Sequence, residues 1–150
     1  MRVLFILLQA VIVQPPSTTI VANLPGLHDV CGSAANYDAC TLFVAYRLNV
    51  TCREAQMNAS VTFKPMVFLY NLGQLPHEQL HIDDLKRFAS QYVGGLEART
   101  FASNTECEEE SIRLAAGFGS KMREFALRSN LERHPILRAG RSTIPHVEGR

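Results

Sequence analysis

Residues 77–81 read His77-Glu78-Gln79-Leu80-His81, two imidazoles four positions apart with a carboxylate beside the first. On a helix, positions four apart share a face, so both rings can close on one zinc ion while Glu78 reaches the water that attacks a carbonyl. Zinc held in this way polarises a scissile peptide carbonyl and acidifies the water. Glu78 accepts the water's proton and returns it to the leaving amine. The spacing therefore points to peptide hydrolysis, with Zn2+ as cofactor, His77 and His81 as ligands, Glu78 as the catalytic base, and a peptide or protein as substrate.

That chemistry needs a helix, because the two rings would diverge in a strand or loop. From Pro76 onward, Leu85, Phe88, Ala89, Tyr92 and Leu96 recur at helical spacing. Pro76 suits the first helical position, and Glu78, Asp83 and Asp84 put negative charge near the positive end of the helix dipole. At about 100° per residue Asp84 projects between His77 and His81, toward the metal or its surroundings. Upstream, residues 41–50 and 60–70 are rich in β-branched and aromatic side chains and read as antiparallel strands separated by Arg53-Glu54-Ala55-Gln56. Pro65 makes the second an edge strand or two short strands with a bend. Downstream, Ser103-Asn104-Thr105 reads as a turn and cap before a second helix that runs to about Arg128. Its apolar face is drawn from Ile112, Ala115, Ala116, Phe118, Met122, Phe125 and Ala126.

A chain of 150 residues with 47% hydrophobic and 19% charged residues suits one globular domain. The net charge of +1, with Lys and Arg scattered, leaves no basic stripe for nucleic acid. No apolar run is long enough for a stable membrane span. Residues 1–22 read as a signal peptide, with Arg2 before an apolar stretch that ends at Gln14-Pro15-Pro16; the competing reading is a buried first strand. Cys31, Cys40, Cys52 and Cys107 are an even set that fits two disulfides in a secreted or periplasmic protein, and four cysteines allow three connectivities.

In order along the chain stand a signal-like start, β-strands, the pair Cys52-Arg53, the run His77-Glu78-Gln79-Leu80-His81-Ile82-Asp83, and Cys107 opening a second helix. In these features the chain resembles the bacterial predicted secreted zinc-dependent proteases, a family still catalogued as a domain of unknown function. The resemblance covers residues 41–134. It implies a zincin-like fold and a disulfide between Cys52 and Cys107, which leaves Cys31 and Cys40 as the other pair. The chain departs from the family in two places. Leu80 stands where relatives carry glycine, and of the family's late Y-D-x-x-T-x-H-G stretch only His134 remains.

Catalytic zinc takes three protein ligands and a water. The extended H-E-x-x-H-x-x-G-x-x-H pattern fails here, because Asp84 and Arg87 occupy its glycine and final histidine positions. The candidates for the third ligand are His134, which falls at the family's late histidine; Asp84, on the motif face; and Glu108, Glu109 or Glu110 on the second helix. His134 is favoured. His28 and His146 lie in loop-like sequence and take no role.

The expected architecture is α+β, a small antiparallel sheet packed against two long helices, with the zinc motif on the first. Residues 1–22 form the signal segment, 23–135 the metallopeptidase domain and 136–150 a flexible tail. The alternative function is a zincin-like binding module of the cell envelope that has lost hydrolysis.

Overall fold

The computed structural model describes residues 10–32 and 38–134. The ends, including the expected tail at 136–150 and residues 1–9 of the expected signal segment, lie outside them. Six strands come first: β1 Val11–Val13, β2 Ser17–Ile20, β3 Ala39–Leu42, β4 Tyr46–Arg53, β5 Gln56–Phe63 and β6 Met66–Leu69, with a short helix α1, Leu24–Cys31, between β2 and β3. A single 3₁₀ turn then leads into two long helices, α2 Leu75–Glu97 and α3 Asn104–Arg133.

The expected class, α+β with long helices, is observed, but the single antiparallel sheet is not. There are two mixed three-stranded sheets, ordered β1-β5-β4 and β2-β6-β3. β4 and β3 pair antiparallel with β5 and β6, while β1 and β2 add to the same two central strands in parallel. Each of three chain segments therefore crosses both sheets and breaks between them. The breaks have a chemical cause. Pro15, Pro16 and Pro65 supply no backbone N–H at the crossing, so the ladder cannot run through. Around the gap, Gln14 N–H donates to Phe63 O at 2.9 Å, Ser17 N–H to Pro65 O at 3.0 Å and Lys64 N–H to Ala45 O at 2.9 Å. The parallel strands lie within the segment expected as a signal peptide, in its residues 10–22.

β4 and β5 form a hairpin whose two central turn residues, Glu54 and Ala55, both have positive φ, 53° and 58°. That is the backbone of a type I′ turn, here made without glycine. The inward face of β5 (Met57, Ala59, Val61, Phe63) packs on Leu85, Ala89, Val93 and Leu96 of α2 and on Phe118, Met122 and Phe125 of α3. α2 continues through Gly94 and Gly95 to Glu97. Ser103 caps α3, its hydroxyl accepting from Glu106 N–H at 3.1 Å.

The buried face of α3 matches the expected one at Phe118, Met122, Phe125 and Ala126 and differs from it over the first half of the helix. Ile112 is 71% exposed, and Ala115 and Ala116 face solvent, whereas Cys107, Phe118, Met122, Phe125 and Ser129 are buried. The disulfide Cys52–Cys107 pins the first turn of α3 to the end of β4. A second bridge, Cys31–Cys40, ties the end of α1 to β3. Both are the pairs implied by the family resemblance. Disulfides of this kind belong to oxidising compartments, and among the described residues no helix is long and apolar enough to cross a membrane.

Candidate metal centre

The histidine–glutamate run occupies the first two turns of α2, which begins at Leu75 with Pro76 in its first turn. Ile82, Leu85 and Ala89 are buried against the sheets and fix the rotation of the helix. That rotation buries Glu78 and His81 as well, at 2% and 7% exposure. The third element arrives from the far end of the chain. α3 runs to Arg133 rather than stopping near Arg128, and His134 caps it, its backbone N–H donating to Asn130 O at 3.0 Å.

His134 is buried, and its ring joins the other two. Ring centroids lie 5.1 Å apart for His77 and His81, 4.8 Å for His77 and His134, and 5.5 Å for His81 and His134. One nitrogen from each ring falls within 4.8 Å of the others. The Nε2 atoms of His77 and His134 are 3.4 Å apart. Two nitrogens, each about 2.05 Å from a tetrahedral zinc, would sit roughly 3.3 Å apart, so this pair already has the required separation. Three imidazoles so placed can hold a metal ion.

Behind the rings lies a chain of hydrogen bonds. Arg133 grips Asp84 with two bonds, Nε to Oδ2 at 2.9 Å and Nη2 to Oδ1 at 2.6 Å. Ser129 Oγ donates to Asp84 Oδ2 at 3.1 Å and lies 3.2 Å from His81 Nδ1. An ionised Asp84 only accepts, so the hydroxyl proton points to Asp84 and its oxygen takes the His81 Nδ1–H. That arrangement leaves the His81 Nε2 lone pair for a metal, the usual role of a group standing behind a ligand histidine. The Arg133 guanidinium holds the Asp84 carboxyl below the usual range, with Ser129 adding in the same direction.

Burial lowers the pKa of His81 to about 4, with the neighbouring His77 and His134 acting the same way. His134 is also lowered, chiefly by burial and then by His77. Neutral imidazoles are the form that binds metal. Burial raises Glu78, against the opposing effect of Thr41, whose hydroxyl donates to Glu78 Oε2 at 2.5 Å. A carboxylate with a raised pKa is closer to the range in which a general base works near neutral pH.

The other expected ligands stand elsewhere. Asp84 faces Arg133 and Ser129 rather than the cluster. Glu110 pairs with Arg99 and Arg113, Glu108 accepts from Asn104, and Glu109 is exposed. These three glutamates sit at the opposite end of α3, about 36 Å or more from His134 at 1.5 Å per residue.

No family model, curated protein or solved structure matches this chain.

A cavity of about 490 Å³ opens beside the three rings, with Glu78, His81 and His134 in its lining. It lies between β3 with the connection that follows it and one face of α3. Sequence reasoning missed Thr41, Ser129 and Arg133. They sit 37, 48 and 49 residues from the α2 side chains they serve, so no local pattern links them. The one usable signal was Ser129 and Arg133 standing four apart, on one helical face, just before His134.

Proposed function

We propose that this protein is a secreted zinc-dependent peptidase in which His77, His81 and His134 hold the metal and Glu78 is the general base. The convergence of His134 on the pair from α2 carries the proposal. Without it the site has two ligands, and with it the site has the three-ligand set of catalytic zinc and room for water. Three neutral nitrogen donors suit zinc over magnesium or calcium, which prefer oxygen. Bound there, zinc would supply polarisation of the substrate carbonyl and a more acidic water at neutral pH. The chain's own residues do the rest. Glu78 accepts a proton from the attacking water and delivers it to the leaving amine. Thr41, donating to one carboxylate oxygen, fixes which oxygen of Glu78 faces the cavity.

The cavity also suits a peptide. Residues 39–44 line it consecutively, whereas a strand face would contribute only alternate residues, so it is the edge of β3 that borders the space. β3 is an outer strand of its sheet, with free backbone groups on that side among the described residues. An extended substrate can add there as a further strand, its backbone paired and its scissile carbonyl carried to the histidines.

The two disulfides support secretion. The resemblance to the predicted secreted zinc-dependent proteases agrees with the same assignment. The test is to purify the protein, measure bound zinc, and follow hydrolysis of an unfolded protein substrate before chelation, after chelation and after zinc is restored. One zinc per chain and zinc-dependent cleavage are expected. A protein that holds zinc and cleaves nothing would instead be the envelope binding module.

A further inference from the structure

The cavity beside the histidines is a groove with two chemically different ends. Glu78, His81 and His134 stand at one end, beside Thr41. At the other stand Tyr46, Gly119 and Arg123, where the Tyr46 hydroxyl lies 3.0 Å from the position a Cβ on Gly119 would take and Arg123 Nη1 lies 3.9 Å from it. Between them the walls are mostly apolar, formed by Phe43 and Val44 on one side and by Met122, Ala126 and Leu127 on the other, with Asn130 the polar exception near His134.

The helix gives the length. Along α3, eleven steps from Arg123 to His134 at 1.5 Å each make roughly 16 Å. An extended peptide whose scissile bond sits at the histidines therefore brings about its fifth residue to Arg123. Side chains of an extended peptide alternate, so the first, third and fifth residues face the same wall.

Arg123 is suited to receive something there. Its Nη2 donates to Ser120 Oγ at 3.0 Å. On the same helix Lys121 and Arg113 have carboxylate partners, Glu124 and Glu110, whereas among the described residues no carboxylate forms an ion pair with Arg123. A guanidinium presents a planar fork that matches a carboxylate.

We infer that the groove selects peptides with apolar side chains next to the scissile bond and a carboxylate, from Asp, Glu or a chain terminus, about five residues away at Arg123. This rests on the peptidase reading of the site, and the test separates the two. Binding is measured by fluorescence anisotropy on zinc-loaded Glu78→Gln protein, which needs no hydrolysis. The probes are labelled ten-residue peptides with one Glu scanned through every position on both sides of a central apolar pair.

Glu at the fifth position on one side is expected to tighten binding roughly three- to tenfold over Gln at the same place, and the gain should shrink at high salt. Adding Arg123→Gln should erase that gain and leave the Gln peptide unchanged. Arg123→Glu should transfer the preference to Lys at the same position. Arg123 is exposed, so these variants leave the core intact. A flat profile, or the same profile in Arg123→Gln, overturns the inference. If the position-dependent preference appears while wild-type protein cleaves none of the peptides, the groove assignment stands and the peptidase reading fails.

Discussion

At the start of α2, His77 and His81 are brought onto one face by their spacing, whereas at the end of α3 His134 is brought to them by contacts made across the fold. One turn of helix suffices to put the first two rings on one face. The third depends on Arg133, the residue before it, reaching Asp84 at a separation of 49 positions, and on Ser129 reaching the same carboxylate at 45. Asp84 thus serves both helix ends: through Ser129 it orients His81, and through Arg133 it anchors the turn that carries His134. Local periodicity places two rings of the cluster, and a partly buried ion pair between helices places the third.

The sharpest division between the two ends is between chemistry and binding. In the proposed mechanism Glu78 belongs to the α2 side and takes no part in holding the metal. Glu78→Gln is therefore expected to lower turnover about a hundred- to ten-thousandfold while bound zinc stays at the wild-type level. Turnover within a few-fold of wild type would remove Glu78 from the mechanism. The ligands come next in size. If zinc binding of about 10–16 kcal/mol is spread over a full set of ligands, each contributes roughly 3–4 kcal/mol, or about a hundred- to a thousandfold in affinity. His134→Ala should then weaken zinc as severely as His77→Ala or His81→Ala, read by competition with a chelator. Near-native affinity in His134→Ala alone would show that the α3 end contributes shape and not a ligand.

How far the sequence could be read follows the same division. The α2 helix, the break at Pro65 and the cap at Ser103 were legible, because proline, capping residues and periodic apolar positions act within a few residues of themselves, whereas the apolar run at 41–50 divides at residues 43–45 between β3 and β4, where no proline marks the break. The parallel strands β1 and β2 were not, since an apolar run followed by Pro15-Pro16 has the same composition whether it is an address or a strand. The exposure of the first half of α3 was not legible either. Ile112 is strongly apolar yet 71% exposed, while Cys107, bridged to Cys52, is buried. At the site, His77, Glu78 and His81 came from spacing, and His134 was favoured through a family pattern of which only that residue remains. Thr41, Ser129 and Arg133 required the fold.

A smaller effect tests the shared carboxylate. Asp84→Asn keeps the shape and removes the charge that holds Ser129 and Arg133, so it should weaken zinc about ten- to a hundredfold, within the range for groups that orient ligand histidines. Arg133→Met should do the same from the opposite side, leaving Asp84 buried with a poorer partner. Asp84→Asn and Arg133→Met combined should cost much less than the sum of the two, because each breaks the same link. Full additivity in that double-mutant cycle would separate Asp84 from the placement of His134.

The smallest expected effect is a pH dependence of the metal-free protein, and its sign follows from burial. The folded-state pKa of His81 is lowered from 6.5 to about 4. A lowered pKa means that the unfolded chain takes up a proton the folded one refuses, so the stability is complete above about pH 6.5 and is lost as pH falls toward 4. The groups facing His81 act in both directions: His77, His134 and Arg133 lower it further, and Asp84 opposes them. Glu78, whose pKa is raised, has the opposite sign, since its contribution is present at low pH and is lost as pH rises. The measurement therefore belongs in Glu78→Gln, where that contribution is gone. Urea midpoints of the metal-free variant should fall on going from about pH 6.5 to about pH 5.5, by the equivalent of about 1 kcal/mol from His81 alone, with His134 adding in the same direction. Replacing His81 by Gln in that background should remove most of the slope, whereas replacing His134 by Gln should remove less, because His81 carries the larger shift. A slope that survives loss of His81 but vanishes with loss of His134 would reverse the comparison and make the end of α3 the source of the larger shift.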